Sequence, residues 1–105
     1  MKHLLASTLA AITFSLSFSV FAETESAASQ CEDWAQRAGS FMVVRQMNTP
    51  IHEAMKDAVG NVTRGLLLNA YQEPVHEGFE AQQEAIHGFR TKIYDDCMAQ
   101  FNETN

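Results

Sequence analysis

The sequence predicts an all-α protein, a small antiparallel helical bundle of three or four helices with its N- and C-terminal helices joined by a Cys31–Cys97 disulfide. Apolar residues recur at steps of three and four along the chain, and nowhere do they alternate as a half-buried strand would. "QMNTP" and "QEP" punctuate that rhythm. Its two cysteines stand near the two ends of what remains once the front end is set aside.

That front end reads "MKHLLASTLAAITFSLSFSVFA". Lys2 and His3 precede an apolar run from Leu4 to Phe21, and Val20-Phe21-Ala22 closes it as a signal peptidase site would. Residues 1–22 are therefore expected to be a secretory signal, cleaved after Ala22, which sends the protein to the periplasm or the exterior. No second apolar run follows, so no transmembrane segment is expected after the signal is removed. The mature chain would hold 105 − 22 = 83 residues. In it six basic residues face thirteen acids, a net charge near 6 − 13 = −7. Such a balance excludes a nucleic-acid partner, which needs concentrated Lys and Arg. It also disfavours an anionic membrane surface. A basic partner protein or a cation fits it better.

A chain of this length makes one domain. Its core is marginal, and small exported domains commonly add a covalent staple. An even cysteine count in an exported chain points to a disulfide, and the CxxC spacing of thiol oxidoreductases is missing. Closing a loop of about 66 residues is worth roughly 4 kcal/mol on the chain-entropy model.

Residues 23–30 carry no periodic signal and are expected to form a flexible leader. The single helical domain is expected over 31–101. Cys31, Trp34, Ala35, Ala38, Phe41, Met42 and Arg45 share one helix face, with Glu32 and Asp33 at the positive end of its dipole. Gly39 lowers helix propensity there but admits a close neighbour. After "QMNTP", Thr49 is the expected N-cap and Pro50 the first helical residue. Ile51, Met55, Ala58, Val59, Val62, Leu66 and Ala70 then form a stripe that Gly60-Asn61 either weakens or breaks. "QEP" ends this segment, because a residue before proline avoids the helical region. The last helix follows Val75, Phe79, Gln82, Ile86, Phe89, Ile93, Cys97 and Phe101. Residues 102–105 are a tail. A Cys31–Cys97 bond requires an even number of passes, which favours a break at Gly60-Asn61 and four helices. A bent middle helix would also serve.

The groups most suggestive of chemistry are His76, Glu80, Glu84 and His87, spaced along one face of the last helix. Imidazole and carboxylate are ligands for Zn or another divalent metal. Their ends would lie about 16 Å apart at 1.5 Å per residue, so only two neighbours could share an ion, with His52 or Glu53 completing the set. A solvated helix face is the simpler reading. No Ser/His/Asp set, phosphate loop or CxxCH haem motif is present. The methionines read as core fill. No catalytic residue and no cofactor is expected. Trp34 and Tyr71 are the candidate recognition anchors. Arg45, on an apolar stripe, should reach out toward solvent or toward Glu73 or Asp57.

Cys31 near the mature start, "LLLNAYQEP" before a long last helix, "FRTKIYDDC" and Cys97 near its end together resemble small exported bacterial all-helical proteins of unknown function. The resemblance implies the fold and the compartment and carries no activity. The expected function is that of a non-enzymatic exported helical protein acting by protein–protein interaction, of inhibitor, immunity, chaperone or accessory type. Its partner would be another protein, basic in character, or a second copy in a homo-oligomer. The alternative is a divalent-metal-binding protein using His/Glu pairs on the last helix.

Overall fold

A computed structural model describes the backbone of residues 12–104 and the side chains of residues 27–102. The expected signal segment lies in part outside the described residues. Among the described residues four helices follow one another: α1 (Ile12–Gln46), α2 (Ile51–Ala54), α3 (Asn61–Ala70) and α4 (Phe79–Thr104). A single 3-10 turn, Met55–Asp57, extends α2. There is no strand among the described residues.

α1 ends as the "QMNTP" signal requires, in a Schellman motif. Asn48 takes a left-handed conformation (φ 61°), which asparagine tolerates better than most residues. The Thr49 amide then donates to Val44 O (3.3 Å) and the Asn48 amide to Arg45 O (2.9 Å), satisfying carbonyls the helix end would strand. One expectation fails at this corner. Thr49 is not the N-cap of α2; Pro50 holds that position without a side-chain cap, and its carbonyl receives the Glu53 and Ala54 amides. Thr49 is instead engaged through its own carbonyl, as described below.

The middle segment does break. Ala58 is extended (ψ 109°), and Gly60 sits at φ 90°, a region closed to most L-residues, before α3 starts at Asn61. The Arg64 guanidinium donates to Ala58 O (3.2 Å) and ties this break to the first turn of α3. The break supplies the even number of passes. Cys31 and Cys97 meet with Cα atoms 5.5 Å apart, joining the first and last helices at one end of the bundle. α1 and α4 are thus antiparallel and share the largest interface. At the opposite end the chain after α3 is held to Gln46.

Packing is economical. Ala38, Met42, Leu66, Ala70 and Phe89 form the core cluster, with Trp34, Phe41, Ala85, Ile86 and Ile93 against it. α3 packs on α1, while the α3 and α4 backbones barely approach each other. Gly39 is buried against α4, and an added Cβ would lie 3.6 Å from Arg90 Cδ, an ordinary contact. Close approach therefore does not require glycine here. Gly39→Ala should raise stability by about 0.4–1 kcal/mol, read as a higher urea midpoint with unchanged m-value.

Several expected core positions face solvent. Val59, Val62 and Phe79 are 80%, 70% and 75% exposed, and Ile51 and Val75 are also exposed. The stripes assumed helix running through residues where the backbone leaves it. Val75 and His76 precede α4, and Phe79 is its first residue, after Gly78 at φ 91°. The helical bounds also exceed expectation at both ends. α1 passes through residues 23–30, where Ala and Glu are strong helix formers, and α4 carries on to Thr104 rather than stopping before a tail.

Candidate functional site

His76 shows why the expected ligand row does not form. It lies in the connection between α3 and α4, where its Nε2 is 2.8 Å from Glu73 Oε1. Its peptide is held from both sides: Gln46 Oε1 accepts from its amide (2.8 Å), and Gln82 Nε2 donates to its carbonyl (2.8 Å). Glu80, Glu84 and His87 do lie on α4, all exposed. They serve different surroundings. Glu84 borders a depression with Met42, Asn69 and Phe89, whereas His87 borders another with Glu32, Ala35 and Arg90. Among the described residues, no three His, Cys, Asp or Glu side chains come together as a metal site needs.

Gln46 is the residue the periodicity conceals. It is a buried polar side chain at the edge of the core, 5% exposed. Besides its bond to the His76 amide, its Nε2 donates to Pro74 O (3.0 Å). Arg45 works beside it: the guanidinium donates to Glu73 O (2.7 Å) and lies 5.1 Å from the centre of the Tyr71 ring. The expected reach of Arg45 toward Glu73 is met, through the backbone carbonyl rather than the carboxylate. Together these bonds fasten the α3–α4 connection to the end of α1.

Tyr71 belongs to the same corner. Its hydroxyl donates to Thr49 O (2.7 Å) across the bundle end. Burial pushes its phenol pKa up, Arg45 opposes that shift, and Glu53 adds to it. The neutral form is therefore favoured in the folded protein. Stability from this shift is fully present below the unfolded phenol pKa and is lost as pH rises through the folded one. Unfolding free energy should fall as pH climbs past about 10, and Tyr71→Phe should flatten that decline in urea titrations at stepped pH.

Trp34, the other expected anchor, is half-buried against the core, with the Arg37 guanidinium 4.8 Å from its ring centre. It also borders an open surface. Where α3 stands off from α4, two depressions of about 510 and 310 Å³ lie end to end, sharing Asn69 as a wall. Met42, Leu66, Phe89 and Ile93 line the apolar floor, and Trp34 closes the end nearest the disulfide. Glu73, Glu84 and Asp96 bring carboxylates to its sides, against the single amine of Lys92, which is 3.0 Å from Asp96 Oδ2. Polar sides over an apolar floor can hold an apolar stripe from another molecule. No helix of the described residues is long and apolar enough to cross a membrane.

No protein-family model, curated protein or solved structure matches the chain. The likeness to small exported helical proteins therefore contributes the small all-helical domain and its disulfide, which the structure has, and nothing further.

Proposed function

We propose that the chain is a non-enzymatic, exported helical protein that acts by binding another protein, as an inhibitor, immunity factor, chaperone or accessory subunit. The observation that carries this reading is the apolar-floored groove between α3 and α4, two depressions that meet at Asn69 and are bordered by carboxylates. Exposed Val62 and half-buried Trp34 and Ile93 border it, apolar surface that a partner could cover with a gain in stability. The disulfide and the signal-like front end support action in the periplasm or outside the cell, where such bonds persist.

The test is affinity capture from the native cell envelope with the oxidised, tagged chain. A defined protein recovered in stoichiometric amount, and displaced by untagged chain, is the expected result. Recovery of bait alone after cross-linking would count against an interaction role.

A further inference from the structure

We propose that the α3–α4 groove receives a basic amphipathic helix of the partner protein, laid along its floor with lysine or arginine residues toward Glu73, Glu84 and Asp96. This rests on the interaction reading above and names the chemistry of the partner.

Two glycines give the first argument. Gly65 in α3 and Gly88 in α4 border the groove, one in each depression. Both lie within helices, and neither is among the positive-φ residues. A Cβ added at either would meet nothing within 4 Å. Each costs about 1 kcal/mol of helix propensity relative to alanine. No turn, strained backbone or contact within the chain uses that concession. What the pair supplies is width: side chains here would narrow the space between α3 and α4, and their absence lets another backbone come close to the floor.

Shape gives the second argument. The α4 side runs from Glu84 to Gln100, about 24 Å at 1.5 Å per residue. On α3 the border repeats at Val62, Gly65, Leu66 and Asn69, the three-four rhythm of one helix face. α3 is only ten residues, about 15 Å, so the space between the two helices accommodates about ten residues of an amphipathic helix, read through an apolar stripe.

Charge selects the occupant. The groove presents three carboxylates and one amine. Lys92 pairs with Asp96 and His76 lies against Glu73, so Glu84 offers a carboxylate with no ion pair among the described residues, and the groove keeps an excess of negative charge. The whole chain has a formal net charge of −6. A second copy would bring more carboxylates to the same place, and like charges across an interface oppose association. A helix with basic flanks complements it.

The experiment uses the full oxidised chain, labelled with nitrogen-15, and a synthetic helical peptide of about 16 residues with a leucine stripe and lysine flanks. Amide shifts should concentrate at Gly65, Asn69 and Gly88, and affinity should fall with added salt. Gly88→Leu fills the groove and should weaken the peptide about tenfold or more while leaving the melting temperature unchanged or higher. Glu84→Lys gives a second, charge-based readout and should weaken binding while the fold is kept. Equal binding by both variants, or equal binding of a glutamate-flanked peptide, overturns the proposal. So does concentration-dependent dimerisation that shifts the same amides, because it makes a second copy the occupant. If Gly88→Leu captures the same envelope partner as the native chain, the groove assignment falls while the interaction reading stands.

Discussion

Replacing Cys31 and Cys97 together by alanine is expected to lower the unfolding free energy by about 4 kcal/mol. The bond spans 66 residues, so its removal returns the loop-closure entropy of nearly the whole domain to the unfolded state. Small domains of this kind hold on the order of 5 kcal/mol in total, so the variant would be left close to the folding threshold. Urea denaturation followed by circular dichroism measures the loss. The native chain in reducing agent should unfold at the same midpoint as the double variant. A midpoint within error of the oxidised native chain would show that helix packing alone sustains the fold.

The second large effect is at Phe89. Its ring is 9% exposed and joins α4 to Met42 and Ala38 of α1 and Leu66 and Ala70 of α3. Phe89→Ala should cost about 3–5 kcal/mol, through lost transfer energy and the cavity left behind. Phe79→Ala is the matched control. That ring is 75% exposed, and its removal should change stability by less than about 0.5 kcal/mol. Comparable losses at the two positions would mean that the first turn of α4 is covered in solution.

Those two phenylalanines show how much of the structure could be read from residue order. Both fall on one three-four stripe, and periodicity treats them alike. What separates them is where α4 begins, and there the His76 amide donates to Gln46, a partner 30 residues away. A pattern confined to neighbouring residues cannot contain that information. His76 is held off the helix at that place, which is why the His76–His87 ligand row was legible as spacing and absent as geometry. Features with local causes were legible: the stop at "QMNTP", the break at Gly60-Asn61 and the end at "QEP" follow from backbone preferences of the residues present. The disulfide then converted the Gly60 break into a count of passes. Trp34 was legible as a candidate because it is a lone large aromatic, but the groove it borders was not. That surface exists because α3 leans toward α1, a tertiary choice, and its most informative residues, Gly65 and Gly88, register in sequence only as weak points of helices.

The bond between Cys31 and Cys97 has one further consequence, for what a protease cut would do to the fold. Because it ties the first helix to the last, the backbone from 31 to 97 is a covalent ring with every connection between helices inside it. The exposed turns at Gly60 and at Glu77-Gly78 both lie within that ring. A single cut there opens the circle without releasing a fragment, and the severed ends stay tethered beside the surfaces they came from. A protein built this way can be nicked and keep its parts in place, so long as its surroundings remain oxidising.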